Sequence, residues 1–194
     1  MPSLQGSYLV APPRLHDDNF FRAVVLLIEH DEEGAIGVIL NRPTSDSVDE
    51  VMRLLEADDE QEMAFEGTTS EFIYYGGPVP GPLVVLHTAV EYSEKQILPG
   101  IHFSSQKNNL QKVISRDESP YRVYSGYAGW SPGQLEQELE RGGWFVVPSG
   151  SDTGNPDLFA ETEQLWHAMS SSLGMDILGD SINPSEIPSD PSVN

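Results

Sequence analysis

Gly126-Tyr127-Ala128-Gly129-Trp130-Ser131-Pro132-Gly133-Gln134-Leu135-Glu136-Gln137-Glu138-Leu139 writes a strand, a glycine-flanked turn and a helix start into fourteen residues. Ser131 is the expected N-cap, its hydroxyl accepting from the Gln134 amide. The Gln134 side chain reaches back to the Ser131 amide to complete a capping box. Pro132 falls at the first helical position, where a missing N–H costs nothing. Trp130 before the cap and Leu135 in the first turn form a hydrophobic staple. Gly142 and Gly143 supply the left-handed stop. This grammar leaves Gly126 and Gly129 over. Glycines beside Tyr127 and Trp130 let another backbone, or a ligand, approach closely, so Tyr127, Trp130 and Gln134 are candidate ligand-binding residues.

Upstream, Ser7 to Ala11 reads as a short strand. Ala23 to Glu29 reads as a strand buried on both faces, because its apolar run is continuous and β-branched. Its hairpin partner is Ala35 to Leu40, across Asp31-Glu32-Glu33-Gly34. Ser47 with Glu50 predicts a second capping box, opening a helix with Val48, Val51, Met52 and Leu55 on one face. Asp58 to Glu62 ends it in an acidic stretch. Phe72 to Tyr75 and Leu83 to Thr88 read as strands around the Gly- and Pro-rich segment 76–82. A strand near Ile101 to Phe103 precedes a helix capped by Ser104 or Ser105, with Leu110, Val113 and Ile114 buried. Tyr121 to Tyr127 and Trp144 to Val147 are strands bracketing the helix of the opening stretch. Asn155-Pro156 is expected to cap a last helix burying Leu158, Thr162, Leu165, Trp166, Met169 and Leu173. Strands and helices interspersed irregularly, with an early hairpin, give an α+β class over a doubly wound sheet. The expected organisation is one compact domain over 1–179 with about four helices, and a Ser-, Pro- and Asp-rich tail over 180–194.

The chain has 194 residues, 10 basic and 31 acidic, for a net charge of −21. Glu29 to Glu66 alone hold thirteen acidic residues against Arg42 and Arg53. Such a surface repels phosphate backbones, so direct nucleic-acid binding is not expected, and anionic membranes are disfavoured likewise. With no cysteine, thiolate catalysis and disulfides are excluded. No basic patch and apolar run open the chain, and Ala23 to Ile28 is too short to cross a bilayer; a cytoplasmic location is the expectation.

Familiar catalytic signatures are missing. None of Lys95, Lys107 and Lys112 follows a phosphate-loop glycine, and no dinucleotide fingerprint follows a strand. Ser125-Gly126 lacks the glycine spacing of a nucleophile elbow. The histidines at 16, 30, 87, 102 and 167 show no metal-ligand spacing, and the acidic groups at His30 to Glu33 and Asp152 to Asp157 read as solvated. No cofactor and no metal are therefore expected. The remaining candidates are Asn41 and Arg42, where a buried strand ends before a helix, with Arg42 able to hold an anion or pair with a carboxylate. Gly76 and Gly77 form a turn whose amides could face a ligand, and His87 ends a strand as a core residue or a general base.

The motifs together resemble the AlgH/YqgE family of bacterial proteins. The resemblance runs from Gly6-Ser7-Tyr8-Leu9-Val10-Ala11-Pro12, through Gly34 to Pro43, Gly76-Gly77-Pro78-Val79, Leu86-His87 and the opening stretch, to Trp166. It covers essentially the whole chain. It implies a single α+β domain with coiled, bifurcated mixed β-sheets and no established enzymatic activity. One branch of the family carries a name tied to transcriptional control of alginate synthesis, which implies a regulator. The expected function is thus a non-enzymatic binding or regulatory protein for a small molecule or peptide, with an unidentified small molecule or protein as partner. The alternative is a hydrolase or transferase without a recognisable motif.

Overall fold

The computed structural model describes residues 2–57, 71–115, 119–150 and 156–174. The acidic stretch after Ala57, the Asn155 cap, the Asp152 cluster and the C-terminal tail lie outside them. Eleven strands form among the described residues: β1 Tyr8–Val10, β2 Val24–Asp31, β3 Gly34–Ile39, β4 Pro43–Ser47, β5 Phe72–Tyr75, β6 Val84–His87, β7 Lys95–Leu98, β8 Ile101–Ser104, β9 Tyr121–Ser125, β10 Ala128–Trp130 and β11 Phe145–Val147. Four α-helices accompany them: α1 Val48–Ala57, α2 Lys107–Ile114, α3 Gln134–Glu140 and α4 Leu165–Ser172. One sheet has the order β10-β3-β2-β1-β11; the other has the order β4-β5-β9-β6-β8-β7. All pairs are antiparallel except β5 with β9, so the class is α+β with mixed sheets.

Side-chain parity explains the layering. In β1 and β2, Tyr8, Val10, Val24, Leu26 and Ile28 face one core, shared with Val84, Leu86 and Tyr124 of the second sheet and with Trp166 and Met169 of α4. The alternate residues Leu9, Val25 and Leu27 face another core beneath α3, with Trp130, Leu135 and Trp144. The far side of the second sheet, through Ile73, Val85 and Val123, packs on α1 and α2. β1 and β2 up to Ile28 are therefore buried and apolar on both faces, which is why the run from Ala23 to Ile28 shows no alternation.

The sheets share their chains. β3 belongs to the first sheet and runs on through Leu40-Asn41-Arg42 into β4 of the second, while β9 of the second runs through Gly126-Tyr127 into β10 of the first. At the branch the Gly76 N–H donates to the Ser125 carbonyl (2.8 Å), and the Gly76 carbonyl accepts from the Ile39 N–H (2.8 Å). Only a glycine fits there. A Cβ on Gly76 would lie 2.2 Å from the Gly126 oxygen, and one on Gly77 would lie 2.3 Å from the Tyr127 carbonyl carbon.

Several expectations are corrected. The last helix begins at Leu165, not near Pro156: Leu158 and Thr162 are buried in turns, held because the buried Arg122 guanidinium donates to the Leu158 and Ala160 carbonyls at 2.6 and 2.8 Å. Helix α2 is not capped by Ser104 or Ser105. Its N-cap is Gln106, and the Glu94 carboxylate accepts from the Ser105 and Gln106 amides, the Ser105 hydroxyl and the Asn109 amide. Burial would raise the Glu94 carboxyl; those four bonds outweigh it and hold it below its ordinary value. The Ser47 hydroxyl caps α1 as expected, 3.1 Å from the Glu50 amide. Strands β4 and β7 are too polar to have been foreseen. Among the described residues, no helix is long and apolar enough to cross a membrane.

Gly76→Ala should destabilise the fold by about 2 kcal/mol or more, since backbone atoms cannot yield as flexible side chains do. Gly100→Ala, whose Cβ would meet nothing at φ +76°, should cost only the left-handed strain of about 1–2 kcal/mol. Urea denaturation of both variants measures the difference.

Candidate functional site

The opening stretch folds around one carboxylate. Both indole N–H groups, of Trp130 and Trp144, donate to Glu138 Oε2 at 2.9 Å, and the Gln134 side-chain amide donates to Glu138 Oε1 at 2.9 Å. The two indoles meet edge-on with centroids 6.1 Å apart, and Phe20 packs against both. Half of the expected capping box forms: the Ser131 amide donates to Gln134 Oε1 at 3.1 Å. The other half does not. The Gln134 amide bonds the Ser131 carbonyl instead, and Gly133 at φ 73° is the N-cap, so α3 starts two residues later than expected. The helix ends as expected, the Gly143 and Gly142 amides donating to the Glu138 and Leu139 carbonyls in a Schellman motif. Glu138 was not among the sequence candidates, although its spacing of four from Gln134 and six from Trp144 is readable in retrospect.

A cleft of about 450 Å³ opens beside this cluster, on the face where β2, β3 and β10 pair. Register places Glu29 opposite Ile36 and Ile36 opposite Gly129, one row across three strands. Ile36 is 39% exposed on the floor. Tyr127 and Val79 form one wall, Ser131 and Pro132 another, and Glu29, Asp31 and Glu33 the rim. The Tyr127 ring lies between Gly81 and Gly129, so Gly129 makes room for an aromatic ring of this same chain. Gly34, at φ 131°, closes the tight β2–β3 turn directly against the Trp130 carbonyl. A smaller cavity of about 300 Å³ lies between Tyr8, Leu98, Ile101, Leu158 and Phe159.

Of the candidates, Tyr127 and Trp130 line the larger cleft and Gln134 stands one turn along, braced on Glu138. Gly76 and Gly77 abut the Gly126-Tyr127 backbone from behind as branch-point residues. Asn41 is a clamp: its side-chain oxygen accepts from the Val24 amide at 3.0 Å, and its amide group donates to the Arg22 carbonyl at 2.8 Å. Arg42 donates to the Asn41 and Phe21 carbonyls, pinning the same loop through backbone oxygens. Burial lowers its guanidinium from the ordinary value. Arg22 in that loop holds φ 52°, a left-handed conformation rare outside glycine, and its guanidinium lies over the Phe21 and Trp166 rings.

His87 is fully buried and lines neither cavity. The Ser104 hydroxyl gives its proton to the Tyr92 carbonyl (2.5 Å), so Ser104 Oγ accepts from His87 Nε2–H at 3.1 Å and the tautomer is fixed. His87 Nδ1 is left without a partner, as is Nε2 of the cross-strand neighbour His102. Burial first, and the His102 ring second, lower the His87 pKa. His30 is buried too, contrary to its reading as part of a solvated hairpin tip. Its Nδ1 accepts from the Leu4 amide (2.9 Å), which puts the proton on Nε2 facing Glu136 (2.9 Å). Among the described residues no group of three or more His, Cys, Asp or Glu could hold a metal ion.

Replacing Glu138 with Ala should cost about 2 kcal/mol or more, leaving two indole donors unsatisfied, and should alter tryptophan emission in the folded state. The pH dependence of stability follows from His87. Its folded pKa lies below the unfolded value near 6.5, so the unfolded chain binds more protons in mild acid. Stability contributed by neutral His87 is whole above about pH 6.5 and falls as pH drops toward the folded pKa, at up to about 1.4 kcal/mol per unit. Urea titrations between pH 7.5 and 5 should show this slope, and His87→Gln should flatten it.

Comparison with known proteins agrees with the architecture. A family model described as AlgH-like, DUF179, matches residues 8–178. A UPF0301 protein of Streptomyces coelicolor is 36% identical over 201 residues, covering 99% of this chain and 96% of the relative. One from Shewanella loihica is 38% identical over 184 residues, covering 91% and 95%. Among solved structures, the solution structure of the AlgH protein from Pseudomonas aeruginosa superposes with a TM-score of 0.68 at 29% identity, over 89% of this chain and 90% of that one. A crystal structure of a Corynebacterium diphtheriae protein gives 0.57 at 28% identity, over 77% of each. By the match of the family model over most of its length and by these relatives, the chain belongs to the AlgH-like family.

Proposed function

We propose that this protein works by recognition, without chemistry of its own, and that its ligand, a small molecule or a peptide segment, occupies the cleft over β2, β3 and β10. The carrying observation is the floor. Ile36 stands 39% exposed in a cleft of about 450 Å³, beside a tyrosine held in place on two sides. Concave sites with an apolar floor and a few placed polar groups are where small ligands bind. The walls are rigid, because Trp130 is locked on Glu138 and the Gly34 turn is packed on the Trp130 backbone. The same fourteen residues that specify the local fold thus shape the cleft. A regulatory role by duplex binding draws no support from a surface of net charge −21. A hydrolase or transferase built on His87 draws none either, since that ring lines neither cavity.

A thermal-shift screen of metabolites and short peptides tests the reading, because a ligand bound to the folded state raises its midpoint by mass action. Ile36→Trp should fill the cleft with little effect on stability, as expected for a half-exposed position, and should abolish every hit. Hits that survive Ile36→Trp unchanged would move the binding site elsewhere.

A further inference from the structure

Resting on the cleft reading, we infer that the ligand is an organic cation: a primary ammonium or guanidinium carried on an apolar stem. The floor selects the stem and the rim selects the charge. Ile36 and the Tyr127 ring offer apolar surface for a short aliphatic or aromatic body. No lysine or arginine lines the cleft, whereas Glu29, Asp31 and Glu33 do. An anionic ligand would meet Asp31 and Glu33 with no lysine or arginine lining the cleft, and a Glu29 whose partner, Lys95, stands outside it.

The structure already contains an example of the chemistry. The Lys95 ammonium, reaching in from β7, sits on Glu29 Oε1 at 2.9 Å. Lys95 is partly exposed and Glu29 exposed, at 34% and 50%, and such a pair is weakly held and screened by salt. A rim carboxylate therefore accepts a primary ammonium in this geometry, and an incoming one can exchange with it. Asp31 uses Oδ1 to accept the Glu33 amide at 2.8 Å, and its carboxylate keeps further lone pairs.

An ammonium carries three donors and needs three acceptors. The Asp31 and Glu33 carboxylates, which both line the cleft, have the oxygens to supply them. The Tyr127 N–H and carbonyl both turn to Val79, at 3.0 Å each. Strand alternation then turns the Gly129 N–H and carbonyl to the same outer side of β10, which is the edge strand of its sheet. Gly129 lines the cleft but stands two strands from Glu29, so these outward-facing groups meet the ligand's far end and not its ammonium. His30 does not line the cleft; its ring is held between the Leu4 amide and Glu136.

Phenethylamine, 2-phenylethanol and phenylacetate share an apolar body and differ in charge. Titrated into isotope-labelled protein, the amine should move the amide signals of Ile36, Tyr127 and Gly129 at least tenfold more tightly than the alcohol, weaken with added salt, and leave the acid without effect. The double variant Asp31→Asn, Glu33→Gln should bring the amine to the alcohol's level. Agmatine and an acetylated lysine amide, run in parallel, separate a free amine from a peptide side chain as the source; either one binding supports the cation. If alcohol and amine bind the same signals equally, the cleft stands and the cationic class is overturned. If no probe moves those signals at millimolar concentration, the cleft reading fails, and this inference with it.

Discussion

The hydrogen bonds at Gly76 are the constraint on which the rest of the structure depends. One residue faces both sheets: its N–H extends the parallel pairing of β5 with β9, and its carbonyl ties Ile39 at the end of β3. A side chain at this point would push Gly126 away, and with it the start of β10. Since β10 carries Trp130 and leads into α3, the placement of the cleft wall traces back to a position that never touches the cleft. The capping grammar of the opening stretch is thus only half of the site's specification; the other half is steric and lies fifty residues upstream in the sequence.

Glu138 plays the complementary part on the outer face. A single carboxylate receives two indoles and a glutamine amide, so helix, strand and the Trp144 segment are joined through one group. Charged acceptors make stronger bonds than neutral ones, and sharing fixes the rings relative to each other as well as to the helix. In this family member the three tryptophans do different work. Two frame the helix, while Trp166 donates to the Ala11 carbonyl at 2.8 Å and docks α4 on β1.

Local signals were readable and distant ones were not. The continuous apolar run of β2, the Ser47 cap, the double-glycine stop after α3 and the buried face of α2 all follow from neighbouring residues, and the structure contains them. The cap of α2 is not legible locally because Glu94 acts from twelve residues before the helix N-cap. The last helix is shorter than its periodicity suggests because Arg122, from β9, holds two carbonyls of the preceding segment. For the site, the glycines were legible as close-approach positions, but their partners were not: Gly129 meets the Tyr127 ring and Gly76 meets Gly126. The cleft rim was hidden for a different reason. Glu29, Asp31 and Glu33 look like ordinary solvated charge until the hairpin register sets them beside Ile36 and Gly129.

The shared strands also have a mechanical meaning. Because β9 continues into β10 and β3 into β4, neither sheet is a module that could peel off and leave its neighbour whole. Load applied to one is carried along covalent backbone into the other, as in two hinged boards cut from the same planks. Fluctuations that would expose the core between the sheets must therefore bend both at once, so slow exchange of backbone protons should spread across the two sheets as a single protected body.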